Sequence, residues 1–256
     1  MQAEPQLSEH AERAARTYGA AADHYTKAAL SFWDRFGSAT VSRLPLAAGI
    51  AGRVLGLDVA CPLIALARAR AAREGLAQAE FRQGDATRAG LPGASFDAVI
   101  CVFGVFFAAD MPGFMAEMWR LVRPGGVLAV TTWGPGLFEP ANSRFWRCVA
   151  DVEPSLFKAF NPWDEITTPA ALGRLFARAG IPGPTLEATA GRHQLPDPDS
   201  FWDIVLGTGY RATVSALGPG QRDLVRMRLL AELRAQQITE LRTDVVFGTA
   251  FRPPAS

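Results

Sequence analysis

The sequence predicts an α/β protein whose sheet is mainly parallel, with helices on both faces and an antiparallel strand at its C-terminal end. Three observations carry this. Strand-like and helix-like patterns alternate from Gly52 to Trp133. The runs SFDAVICVFGVFF (95–107) and VLAVTTW (127–133) are apolar almost throughout, as strands covered on both faces are. Residues 184–194 and 240–251 read as strands outside that alternation, and the last of them is expected to run antiparallel.

The elements follow in order. Residues 7–38 read as helical, with Tyr18, Tyr25, Phe32, Trp33 and Phe36 spaced to share faces and Gly19 and Gly37 dividing the run. RVLGLDVA (53–60) is a β-rich run that ends on Asp58. A helix over 62–73 is closed by Gly75, and AEFRQ (79–83) is a second strand stopped by Gly84-Asp85. The apolar run 95–107 is the third strand. Residues 111–122 form an amphipathic helix halted at Arg123-Pro124-Gly125-Gly126, before the fourth strand at 127–133. Further on, 143–151 is helical, and Thr168-Pro169 supplies an N-cap and a first-turn proline for a helix ended by Gly180. The expected organisation is a helical cap over 1–47, then one domain over 48–256 with a helical insertion at 198–236.

Composition narrows the function. A net charge of +1, with no dense basic run, offers no electrostatic footprint for nucleic acid, so none is expected as a partner. Cys61, Cys101 and Cys148 are far apart and fit neither a zinc site nor a disulfide framework, so no metal is expected. The N-terminal residues lack an apolar signal core, and no run of about eighteen apolar residues is present. A cytoplasmic protein without membrane partners, monomeric or homodimeric, is the expectation.

Five stretches in the order GRVLGLDVA, ARARAAREGL, FRQGDA, SFDAVICVFG and LVRPGGVLAVTTW carry a family resemblance. The chain resembles class I S-adenosylmethionine-dependent methyltransferases, the Rossmann-like type-11 group that acts on small molecules and lipid-like quinones. That resemblance implies S-adenosyl-L-methionine as cofactor and a small-molecule acceptor. Ligands of such sheets sit at the carboxyl ends of the strands. Asp58 is then placed to accept from the ribose hydroxyls, and Val59 to lie on the adenine face. Asp85 would accept from the adenine amino group while the Ala86 amide reaches a ring nitrogen. Phe103 and Tyr25 fall beside the methionine part. Simpler roles stand beside each: a helix cap for Asp58, a self-stabilised turn for Asp85, core packing for Val59. Asp97, at the start of its strand, reads as structural. His193 and His24 are weak candidates for a base, and no catalytic residue is assigned.

One departure stands out. Sheets of this family open with a strand, a glycine-rich loop and a helix before the strand that carries the ribose acid. Here RLPLAAGIAGRVLGLDVA offers only Gly49 and Gly52 ahead of that strand, and nine positions separate Gly49 from Asp58. A strand of about five residues and a helix of ten or more do not fit. The sequence therefore predicts that Ile50 and Ala51, within two positions, are not neighbours in the parent protein.

Phe106, Trp133, Phe138, Trp202 and Tyr210 are the expected lining of an acceptor chamber beneath the N-terminal helices and the 198–236 insertion, suited to an apolar or aromatic body. Three rival readings remain at this level, one of them an enzyme that uses the same cofactor for other chemistry. A nicotinamide oxidoreductase would share the ribose acid, but no Gly-x-Gly-x-x-Gly precedes it. A noncatalytic binding protein on a methyltransferase scaffold gains ground if the first unit is truly deleted.

Overall fold

The computed structural model describes residues 7–44 and 52–255. The expected discontinuity at Ile50–Ala51 lies outside the described residues.

Helix α1 (Glu9–Ala21) opens on Ser8, whose hydroxyl accepts from the Ala11 amide at 3.2 Å, with Glu9 and Glu12 favourably placed in the first turn. A 3₁₀ turn at Ala28–Leu30 leads into α2 (Phe32–Val41). Strand β1 (Val54–Asp58), helix α3 (Cys61–Arg73) and strand β2 (Ala79–Gln83) follow, with Gly75 at φ +68° closing the helix as expected. Then come β3 (Phe96–Val102), α4 (Met111–Leu121) and β4 (Val122–Trp133). Past them lie α5 (Ala141–Val152), α6 (Pro169–Arg178), β5 (Thr185–Thr189) and β6 (Arg192–Gln194). Three helices follow, α7 (Phe201–Gly207), α8 (Tyr210–Ala216) and α9 (Pro219–Ala235), before β7 (Glu240–Arg242) and β8 (Val245–Phe251). Thr168 caps α6 through its hydroxyl, and Gly180 at φ +70° ends it.

Four boundaries differ from the sequence expectation, each for a local reason. β3 stops at Val102 because Phe103 takes a left-handed φ of +53° and turns the chain into a 3₁₀ turn at Val105–Phe107. β4 runs back through Arg123-Pro124-Gly125-Gly126 to Val122, with an irregular register opposite Phe96–Ala98. The strands expected at 184–194 and 240–251 are each broken in two. At that break Gly191 sits so close to the Thr243 carbonyl that a Cβ there would lie 2.2 Å from its oxygen. Beyond it the chain leaves the sheet to form the separate β6–β7 hairpin.

The main sheet has the order β3-β4-β8-β5. β3 and β4 pair in parallel, and β8 is antiparallel to both β4 and β5, so β8 alone opposes the other three. Helices cover both faces. On one, Leu44 packs with Val127 and Ala129, and the Thr40 and Thr131 hydroxyls lie 2.7 Å apart. On the other, Leu128 and Val130 join the main core with Phe114, Met118 and Phe176.

β1 and β2 form a separate parallel pair. β4 is buried from Gly126 to Trp133, as the apolar run requires, but β3 is only partly covered, and Ile100 is 40% exposed. The reason is that β3 has a strand on one edge only among the described residues, and so has β1, where Val54 is 53% exposed.

Candidate active site

Parallel pairing sets Asp58 opposite Gln83, and the Gly84 amide donates to the Asp58 carbonyl at 2.9 Å. Asp58 and Asp85 therefore stand at the carboxyl ends of adjacent strands. Asp58 Oδ1 accepts from the Ala60 amide at 2.7 Å. Ala60, not Asp58, occupies the N-cap of α3, and no side chain caps that helix. Among the described residues Oδ2 takes no hydrogen bond from protein. Burial pushes the Asp58 carboxyl above the usual range, with the Ala60 and Val59 amides opposing it.

Asp85 is busier. Its Oδ1 accepts from the Thr87 amide at 2.9 Å and the Thr87 hydroxyl at 2.6 Å, and its Oδ2 accepts from the Ser8 hydroxyl at 3.3 Å. The turn-stabilising role is thus present, and it ties the start of α1 to the strand end. A carboxylate holds about four acceptor positions, so a further donor can still be met.

Phe103 donates its amide to the Thr131 carbonyl at 2.9 Å and stacks its ring on Trp133, centroids 3.8 Å apart and 11° from parallel. Tyr25 stacks on Trp33 at 5.5 Å. Burial raises the phenols of both Tyr18 and Tyr25, with Asp58 contributing to each. Both stay neutral donors at ordinary pH.

All six sequence-assigned cofactor residues, Asp58, Val59, Asp85, Ala86, Phe103 and Tyr25, line one cavity of about 1860 Å³. A second, of about 30 Å³, adjoins it, and Phe106, Trp133, Phe138 and Tyr210 line that one. Trp202 lines neither; it is buried in α7. Tyr210 is fixed by its hydroxyl, which donates to Asn142 Oδ1 at 2.6 Å. Tyr18, Trp33 and Phe103 line both cavities and form the wall between them. The Trp33 indole N–H is buried there without a partner among the described residues. Tyr18 and Trp33 were visible in the sequence only as helix-face aromatics, because their place at the wall depends on how α1 and α2 fold over the strand ends.

Neither of the two candidate histidines reaches this site, although His10 of α1 lines the large cavity. His193 is buried in β6, its Nε2–H donating to the Ala29 carbonyl at 2.8 Å and its ring edge-on to Phe32. His24 sits between Asp23 and Asp203. Cys101 borders the large cavity, but burial pushes its thiol up to about 12, which leaves it protonated and unreactive. Asp97 pairs with Arg123 near the start of β3, as its structural assignment expects. Among the described residues no three His, Cys, Asp or Glu side chains gather as a metal site, and no helix is long and apolar enough to cross a membrane.

Sheet order, acid-ended strands and the cleft they share are those of the Rossmann-like methyltransferase fold. Residues 35–130 match the family described as "Methyltransferase domain". Among solved structures it is similar to the [4+2]-cyclase SpnF, at 15% identity and TM-score 0.59 over 98% of each chain. It is also similar to a Haemonchus contortus phosphoethanolamine N-methyltransferase 2 bound to phosphomonomethylethanolamine and S-adenosylhomocysteine. That match has 14% identity and TM-score 0.55, and covers 98% of this chain and 61% of the other. Curated relatives include a demethylmenaquinone methyltransferase of Deinococcus radiodurans, 29% identical over 64% of this chain and 60% of the relative. A trans-aconitate 2-methyltransferase of the same organism is 28% identical over 78% of each. The chain spans 60%, 34% and 37% of the first three curated relatives it matches.

Proposed function

We propose that this protein transfers a methyl group from S-adenosyl-L-methionine to a small acceptor with an apolar or aromatic body. The observation that carries the reading is the acid-ended cleft of about 1860 Å³ with its aromatic wall of Tyr18, Trp33 and Phe103, roomy enough for cofactor and acceptor together, whereas the space of about 30 Å³ behind that wall is no larger than a water needs. The cleft fits the adenosine half of the cofactor: the free Oδ2 of Asp58 suits ribose hydroxyls, and Val59, Asp85 and Ala86 border the same space. The methionine half has less to meet. Tyr25, Phe103 and Gly104 lie at that end, but among the described residues no glycine-rich loop and helix N-terminus face it.

The cofactor supplies a sulfonium methyl that is already electrophilic. The chain's own task is alignment of the acceptor and exclusion of water. The Phe103–Trp133 stack and the Tyr25–Trp33 stack make the wall rigid, and the unpaired Trp33 N–H offers one donor for orienting a ligand. Helices of the proposed cap (1–47) and insertion (198–236) meet where α1 packs on α7 and α8, which backs the aromatic wall from outside.

A quinone-like acceptor, as in the demethylmenaquinone methyltransferase relative, suits the aromatic wall of Tyr18, Trp33, Phe103 and Phe107 in the large cleft better than a tricarboxylate such as trans-aconitate. Transfer of labelled methyl to a demethylmenaquinone analogue, run beside trans-aconitate, tests this; transfer to trans-aconitate alone would overturn the acceptor class. The noncatalytic reading is favoured by the sparse methionine end. Tight binding of the cofactor with no transfer to any acceptor would establish it.

A further inference from the structure

Four half-buried aromatic side chains border the large cavity: Tyr18 of α1, Tyr25 of the turn after it, Trp33 of α2 and Phe107 of the 3₁₀ turn past β3. They are neighbours, since Tyr18 packs on Phe107, Tyr25 on Trp33, and both Tyr18 and Trp33 also border the space of about 30 Å³. Their planes are not aligned. Tyr25 and Trp33 lie 7° from parallel, whereas Tyr18 meets Phe107 at 76° and Trp33 meets Phe103 at 62°. A group enclosed among rings turned in such different directions meets faces and not edges alone. The face is the negative pole of an aromatic quadrupole.

Charge points the same way. The Asp58 carboxylate raises the phenols of both Tyr18 and Tyr25, so it lies within electrostatic reach of the two rings. The basic groups of the cavity stand on other stretches of its rim. Arg82 pairs with Glu80 and Arg123 with Asp97, Arg53 precedes β1, Arg88 follows Asp85, and His10 is in the first turns of α1. Among the described residues, guanidinium–ring contacts fall on Phe36, Phe247 and Trp119, so no ring of the wall already holds a protein cation. Ring faces beside a carboxylate, with no cation of their own, attract a positive centre and offer a neutral one of the same shape nothing comparable.

We infer that Tyr18, Tyr25, Trp33 and Phe107, together with Asp58, form a receptor for a cationic centre, and that this centre is the cofactor's sulfonium. The second half rests on the function proposed above. When the methyl group leaves, the S–CH₃ electron pair stays on sulfur and the new bond forms from an electron pair of the acceptor. The positive charge passes to the acceptor, which sheds it by losing a proton. The sulfur left behind is a neutral thioether. The wall therefore holds the charged cofactor more tightly than its spent form and favours replacement of one by the other after each turnover.

Calorimetry on the whole chain reads this independently of methyl transfer. The ligands are S-adenosyl-L-methionine, S-adenosylhomocysteine and an analogue with a protonated amine in place of the sulfonium. The expected result is about tenfold tighter binding of both cations than of the thioether. Tyr25→Leu and Phe107→Leu should each narrow that ratio about threefold, with the affinity for the thioether little altered. Trp33→Phe, which keeps a ring face, should narrow it less than Trp33→Leu; the two half-buried positions carry the test if Trp33→Leu does not fold. Equal affinity for all three ligands in the wild type overturns the inference. So does a loss in the leucine variants shared equally by cation and thioether, which is lost packing. Binding of tetramethylammonium beside S-adenosylhomocysteine, abolished by the same variants, would give the cation to the acceptor and overturn the sulfonium assignment. Charge-selective binding without transfer to any acceptor upholds the receptor and counts against the proposed activity, whereas transfer with equal affinities does the reverse.

Discussion

Asp58 offers one carboxylate oxygen to the Ala60 amide and leaves the other facing the cleft. Two hydroxyl donors lost from a charged acceptor cost about 1–3 kcal/mol each. Asp58→Ala is therefore expected to weaken S-adenosyl-L-methionine binding roughly thirtyfold or more by calorimetry. Asp58→Asn, which keeps an acceptor without the charge, should fall between. Unchanged affinity in a folded variant would remove the ribose assignment. His193 gives a different prediction. Burial lowers its pKa, helped by Arg35 and opposed by the bond to Ala29, so the native state favours the neutral ring. With an unfolded value of about 6.5, its contribution is complete above that pH and is lost as pH falls through 6.5 and past the lowered native value. Chemical denaturation at pH 7.5 and at pH 5 should show a smaller difference for His193→Gln than for the wild type. An equal or larger loss in the variant would contradict this sign.

At the scale of elements, α2 is anchored to the far edge of the sheet. Arg43, just past its end, meets both Glu187 oxygens, at 2.8 and 3.0 Å, and lies 3.7 Å over the Phe247 ring. The pair is half exposed, so Glu187→Gln should cost only about 0.2–1 kcal/mol in denaturant melts. Gly191→Ala should cost more, about 1–3 kcal/mol, because its methyl meets the Thr243 backbone and nothing flexible can yield. A smaller loss than that of Glu187→Gln would show that the strand break absorbs the methyl. The elements also show what was legible beforehand. Acid-ended strands, the Thr168 cap and the Gly75 and Gly180 stops are written in adjacent residues, and they appear where the sequence put them. The end of β3 is not: SFDAVICVFGVFF is apolar to its last residue, and only the turn at Phe103 divides it. Trp202 and Tyr210 look alike in sequence, yet only Tyr210 borders the chamber. Which side of a short helix faces inward is decided by its neighbours.

Over the whole molecule, burial is uneven. β4 is covered along its upper eight residues, whereas β1 and β2 contain no fully buried residue and α3 buries only Ile64 and Ala71. Local stability follows buried contact. Residues 52–90 are therefore expected to open before the β4–β8 core, giving a first phase of amide exchange and of proteolytic cutting confined to that stretch. A single cooperative transition with uniform protection would contradict it.

The wall between cleft and chamber has an optical consequence. Of six tryptophans, Trp33 faces both spaces, and Trp133 and Trp163 border the chamber. A guest in the large cleft therefore meets Trp33 directly, while Trp133 and Trp163 lie behind the wall. A quinone-like acceptor stacked on Trp33 would quench it strongly, whereas a purine seated at Asp58 would quench it less. Steady-state fluorescence can follow the two events separately in the unlabelled protein, and mixing one partner before the other would reveal their order of arrival.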